Sequence, residues 1–189
     1  MSNKMDRPFL VGEKIYLRPF DLDDIDGEYI QWLNDEEMVC FIDTLKRPTT
    51  FNQAKEYVEK ILNSDNYIFF AVIDKSSGKH IGNVKIGPID WINRISNYGR
   101  LLSKDHWGKG YGTEVLNLII KYSFETLNLN KLWDSAISSN KASIKSVKKA
   151  GMIIEGEISE YAFVNGKYES ITLYGITQKE YFKMKNDNN

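Results

Sequence analysis

The sequence predicts a mixed α/β (α+β) architecture, a mostly antiparallel central sheet with helices on both faces. Three observations carry that expectation. Alternating apolar residues mark one strand near the N-terminus, and the apolar run from Tyr67 to Asp74 opens a meander of three more strands ending at Leu102. From Gly108 the period changes to that of a helix, with Val115, Leu116, Ile119, Ile120 and Phe124 on one side. Beyond it strands and helices alternate, which calls for a sheet covered on both faces.

Each element has its own signal. Ile15 and Leu17 alternate with polar neighbours in a strand from Glu13 to Arg18, which Pro19 breaks. Asp21 or Asp23 then caps a helix to about Asn34, with Ile25, Tyr29, Trp32 and Leu33 at helical spacing. Thr50-Phe51-Asn52-Gln53 has capping-box spacing and opens a second helix through Leu62. Tyr67 to Asp74, His80 to Ile89 and Arg94 to Leu102 form an antiparallel meander. A long helix follows from Gly108 to Thr126, then a strand from Lys131 to Ser138. A helix from Lys141 to Ala150 is ended by Gly151. The tail reads as a hairpin, Ile153 to Phe163 and Tyr168 to Thr177, turning at Asn165-Gly166.

Composition narrows the functional classes. The chain has 189 residues without an evident linker or internal repeat, which predicts one domain over 1–189. Its 42% hydrophobic content is enough for a large core and excludes disorder as the main state. A net charge of −1 supplies no field to attract nucleic acid. Cys40 stands alone and only His80 and His106 accompany it, so neither an internal disulfide nor a Cys/His metal site is expected. Without a long apolar segment or a leader-like N-terminus, the expected location is the cytoplasm, with no membrane partner.

The stretch that carries chemistry is Trp107-Gly108-Lys109-Gly110-Tyr111-Gly112-Thr113, between a strand and a long helix. Alternate glycines let consecutive amides turn toward one point, and the helix adds its positive end. Together they suit a phosphate or pyrophosphate; a plain glycine turn before a helix is the competing reading. The spacing matches neither a P-loop nor a dinucleotide fingerprint.

This block, with Asn140-x-x-Ser143-Ile144 and Ala150-Gly151-Met152 downstream, resembles the GNAT acetyltransferase superfamily. The likeness is greatest to ribosomal-protein N-terminal acetyltransferases and their small-amine relatives. It runs from Ile15-Tyr16-Leu17-Arg18-Pro19 through Trp32-Leu33-Asn34-Asp35 to Asn165-Gly166-Lys167-Tyr168. The resemblance implies a sheet whose central strands splay apart and acetyl-CoA as the acetyl donor, without a metal. It implies that Gly108, Lys109, Gly110, Tyr111, Gly112 and Thr113 hold the pyrophosphate. The strand at Arg100, Leu101 and Leu102 would meet the pantetheine arm by its backbone, and an N–H near Leu101 or Leu102 would polarise the thioester carbonyl. Asn140 would contact the arm or serve only as a helix cap. Lys109, Lys141, Lys145 and Lys148 would reach cofactor phosphates or form a solvated basic face.

Two departures from the family pattern bear on catalysis. Seven residues after Asn140, where many members carry a tyrosine acid, stands Val147, leaving Ser143 as the nearest matching hydroxyl. On the central strand, where relatives often carry a glutamate base, stands Asn97, which accepts no proton. Ser143 and His106 are therefore the candidate catalytic groups, each with a structural alternative, and Asp134, Glu157 and Glu160 are further candidate bases. An amine with pKa about 10.4 is roughly 0.1% neutral at pH 7.4, and one near 7.8 about 30% neutral. Without a base the sequence favours the second kind. The expected reaction is acetyl transfer to an amino sugar, a protein N-terminus or a polyamine; the alternative is a non-catalytic acyl-CoA sensor. Asp35, Glu36, Glu37 and Asp43 form an acidic cluster that either greets a cationic amine or is simply solvated. The other expected partner is a second copy of the chain, in a homodimer.

Overall fold

The structure, a computed structural model, describes residues 7–42 and 47–187. Asp43, one of the four acidic residues singled out above, lies outside them. Eight strands form one sheet: β1 (Leu10–Val11), β2 (Ile15–Pro19), β3 (Ile68–Asp74), β4 (His80–Asp90), β5 (Ile95–Leu102), β6 (Lys131–Ile137), β7 (Ile153–Val164) and β8 (Lys167–Thr177). The helices are α1 (Ile30–Trp32), α2 (Glu36–Val39), α3 (Phe51–Leu62), α4 (Tyr111–Glu125), α5 (Lys141–Lys149) and α6 (Gln178–Asp187). Spatial order is β1-β2-β3-β4-β5-β6-β8-β7, antiparallel everywhere except between β5 and β6.

Strand alternation sorts the apolar residues into two cores. Phe70 and Val72 of β3 face the layer of α4 and α5, meeting Leu116, Ile120 and Val147. Phe69, Ala71 and Ile73 face the other way, onto Ile25, Trp32, Val58 and Ile61 from α1, α3 and the turn before α1. Each such Phe, Val, Leu or Ile side chain contributes about 1.5–3 kcal/mol on burial. Helices cover both faces, as the sequence predicts.

The capping box of α3 is formed as expected: Gln53 N donates to Thr50 Oγ1 at 3.3 Å and Thr50 N to Gln53 Oε1 at 2.9 Å. The helix expected after Pro19 is instead broken. Asp21 caps a single tight turn at Leu22–Asp24, and Gly27 leaves helical geometry at ψ −140°. Asp24 is drawn inward, where its carboxylate takes two hydrogen bonds from Arg18, at 2.6 and 2.7 Å, both side chains buried. A third accepted bond, from Asp21 N at 2.9 Å, fixes the turn. The long helix begins at Tyr111 rather than Gly108, because Gly108 and Gly110 adopt φ of 71° and 90°. The sequence reading also lacked β1, α2 and α6; α6 is polar on most sides and packs mainly through Tyr181 and Met184.

Candidate active site

The parallel junction between β5 and β6 is short. Ile95, Ser96 and Asn97 pair with Lys131, Leu132 and Trp133, and no later pair joins the two strands among the described residues. Beyond that point β5 continues to Leu102 and β6 to Ile137, leaving a gap in the middle of the sheet. On its other side β5 remains bonded to β4. Ser103 N donates to Ile81 O at 2.9 Å, and antiparallel alternation from that pair turns the Leu101 amide into β4. The amides of Arg100 and Leu102 therefore face the gap, and Leu102 O accepts from Trp107 Nε1 at 2.7 Å. A side chain at Gly99 would meet nothing within 4 Å, so that position too borders open space.

One end of the gap is the glycine loop. The first α4 amides bonded to the loop are those of Thr113 and Glu114, both to Gly110 O at 3.1 Å. The amides of Tyr111 and Gly112 precede them, as the free donors of a helix N-terminus do. A Cβ on Gly108 would meet nothing, and one on Gly110 only Lys14 Nζ at 3.7 Å. This is the open, backbone-lined cradle that a pyrophosphate requires. Lys14 Nζ itself donates to Lys109 O at 3.1 Å, placing a cation at the rim. Sequence reasoning missed Lys14, which arrives from the far end of the chain with no motif to mark it. Glu114 steadies the contact by accepting from Lys14 N at 2.8 Å.

Arg100 ties the loop to α5. Its guanidinium donates to Gly112 O and, at 2.7 Å, to Ser146 Oγ, which donates to Ser143 O at 2.7 Å. Asn140 caps α5 by accepting from Ser143 N at 3.0 Å. Ser143 is only partly buried, and Lys145 is exposed. Val147, with no hydroxyl to offer, is fully buried in the core. Beside it, burial pushes the hydroxyls of Tyr98 and Tyr174 above their ordinary pKa, and Tyr98 and Ser143 are polar neighbours of Tyr174. Tyr174 Oη donates to Ser135 O at 3.2 Å. Neither tyrosine was singled out from sequence, where both read as strand aromatics.

His106 sits apart from this group. Its Nδ1 lies 2.6 Å from Ser103 Oγ, and its ring packs edge-on against Tyr111. Tyr111 in turn donates to Asp74, whose carboxyl Ser76 and Ser77 hold well below the ordinary value. Glu157 and Glu160 are exposed on the hairpin; Glu157 accepts from Ser138 Oγ at 3.2 Å. Asp134 is different. It follows Trp133, the last residue paired with β5, and burial lifts its carboxyl to about 7. On the opposite face of the sheet, Asn97 Oδ1 is a buried acceptor with no protein partner.

A cavity of about 580 Å³ is lined by Asp35, Glu36, Glu37, Cys40 and Asn165. Lys104 Nζ reaches Asp35 at 2.7 Å and Glu37 at 3.1 Å. Its hydrogen bond keeps the Asp35 carboxyl below the ordinary value. No group of three or more metal-ligating side chains occurs among the described residues, and no helix among them is long and apolar enough to cross a membrane.

Residues 14–153 match the family described as acetyltransferase (GNAT) domain. The chain is 27% identical over 175 residues to an uncharacterized N-acetyltransferase, p20, of Bacillus licheniformis, covering 91% of this chain and 97% of the relative. It is 27% identical over 132 residues to a spermidine N(1)-acetyltransferase of Vibrio cholerae, covering 70% of this chain and 76% of that one. The solved structure of a Vibrio cholerae spermidine N-acetyltransferase in complex with CoA and spermine superposes with a TM-score of 0.82. It is 24% identical and covers 89% of this chain and 98% of that chain.

Proposed function

This chain belongs to the GNAT acetyltransferase family, and on that premise we propose that it transfers acetyl from acetyl-CoA to a primary amine of low pKa. The observation that carries the reading is the gap between β5 and β6 with the glycine loop at one end. The amides of Gly108 to Thr113 hold the pyrophosphate, with Lys14 and Lys109 at the rim. The pantetheine arm lies along β5 and accepts from the gap-facing amides of Arg100 and Leu102 as an added strand would. The leaving group is a thiolate.

A polyamine is the second reading. It draws on the acidic cavity and on the spermidine acetyltransferases among the relatives. Against it, Lys104 already offsets charge at Asp35 and Glu37, leaving less field for a polycation. The test is kcat/KM at pH 7.4 for an amino-sugar nucleotide, a peptide with a free N-terminus, and spermidine. The low-pKa reading expects the first or second to lead; a clear lead for spermidine would replace it. Calorimetry with CoA checks the donor independently, and absence of binding would remove the whole assignment.

A further inference from the structure

If acetyl transfer proceeds in the gap, as proposed above, the departing sulfur needs a proton, and Val147 has none to give. We propose that Asp134, at the first station where β6 parts from β5, is the acid that protonates that sulfur.

Its placement follows from the register. Leu132 faces the α4–α5 layer, so Asp134, two residues on, turns to the same side as Val147. Its position directly follows the last β5–β6 pair, where the gap opens. The groups that face it electrostatically come from three other strands: Lys85 of β4, Tyr98 and Arg100 of β5, and Tyr174 of β8. From α5, Ser143 joins the same cluster through Tyr174. Glu155 on β7 and Glu125 at the end of α4 are held by Lys131 and Lys185 instead.

Chemistry chooses among the hydroxyls and the carboxyl. A thiol ordinarily has a pKa of about 8.5. Proton transfer to a thiolate from either buried tyrosine, raised above its ordinary value, runs uphill, and from serine still more so. A carboxyl titrating at about 7 transfers downhill and is still substantially protonated at neutral pH. The balance is simple. The amine nitrogen bonds the acetyl carbon and the carbon–sulfur bond breaks, its electron pair staying on sulfur. Asp134 gives sulfur its proton and becomes a carboxylate, which the Arg100 charge favours. The surplus proton of the new amide nitrogen leaves to water, and water reprotonates Asp134 after the thiol departs. Ser143 and Tyr174 then position the carboxyl rather than donate.

Asp134→Asn keeps the shape and loses the titration. The expected results are a fall in kcat of tenfold or more at pH 6.5, and a wild-type to variant kcat ratio that shrinks as pH rises through about 7. Using the ratio cancels ionisation of the amine. CoA affinity by calorimetry should stay within about twofold. Infrared difference spectra of the ligand-free protein should show a protonated carboxyl lost between pH 6 and 8 in wild type and missing from the variant. Asp134→Ser serves as the second variant if the asparagine protein fails to fold. Intact CoA binding and turnover with an unchanged kcat ratio across pH would overturn this proposal alone, as would a carboxyl band titrating near pH 4. A wild-type protein that binds no CoA would overturn it together with the acetyl-transfer reading.

Discussion

The glycine loop and the cavity beside α2 are made by opposite means. At the loop the surface is backbone: two glycines at positive φ, a helix N-terminus, and a guanidinium that holds the loop by its carbonyl. In the cavity it is side chain: three carboxylates, a cysteine and an asparagine, with a lysine bound across two of the acids. A ligand portion that never varies, such as a pyrophosphate, can be read by amides that every sequence has. A ligand portion that differs between relatives has to be read by groups that mutation can exchange. On the proposed reading, the glycine loop is thus the generic half of the site and the cavity beside α2 the specific half.

The strongest way to test that division is to damage the acceptor half from beneath. Asp24→Ala would leave the Arg18 guanidinium buried without its carboxylate, a loss of about 3–5 kcal/mol by comparison with other broken buried pairs. Urea denaturation should show it. The layer under α1 and the acidic cavity should loosen first, and hydrogen exchange should locate the change there rather than at α4.

A smaller effect belongs to the seam between the halves. Asp134 has a folded pKa of about 7 against an ordinary 3.8, so the folded state binds the extra proton between those values. Stability that it contributes is complete below about pH 4 and is lost as pH rises through 7. Three pKa units set a ceiling of about 4 kcal/mol; partial exposure and relaxation reduce it to about 2 kcal/mol. Asp134→Asn should therefore gain on wild type by that amount between pH 4 and pH 8 in parallel denaturation curves.

The cofactor half is tested by Gly110→Val. The backbone there has φ of 90° and the space above it is open, so branched carbons would both strain the turn and fill the cradle. CoA affinity should drop tenfold or more, roughly 1.4 kcal/mol or above, while acceptor preference stays the same. Equal loss of acceptor selectivity would show that the two halves are not separable. The smallest effect sharpens the other side. Lys104→Ala should let the Asp35 carboxyl rise toward its ordinary value and free two acids. The KM for spermidine should then fall severalfold, with CoA affinity unchanged.

The same contrast explains what was legible in the sequence. Local chemistry announced itself: the Thr50–Gln53 box, the Asn165-Gly166 turn and the glycine loop each need neighbouring residues only. The gap was legible through family resemblance, since nothing in the residues of β5 or β6 says that their pairing stops after three residues. Lys14 and the guanidinium role of Arg100 were not legible, because each depends on a partner about a hundred residues away or across a helix. The segment from Phe20 to Asn34 misled because helical spacing survives a chain that bends at Gly27. Asp134 was one carboxylate among several until the register placed it at the parting of two strands. The candidate acid Ser143 and the candidate base His106 proved to lie in different clusters, one beside Tyr174 and the other beside Ser103.

The three-pair junction also has a thermodynamic consequence. It is a narrow neck between a five-strand part and a three-strand part of the sheet. Acetyl-CoA laid along β5 would act as a missing strand that ties the two parts. By linkage, a ligand at a hundred times its dissociation constant adds about 2.7 kcal/mol to the folded state. The resistance of this protein to unfolding would then track the supply of acetyl-CoA around it, so that a starved enzyme would be the one most readily unravelled.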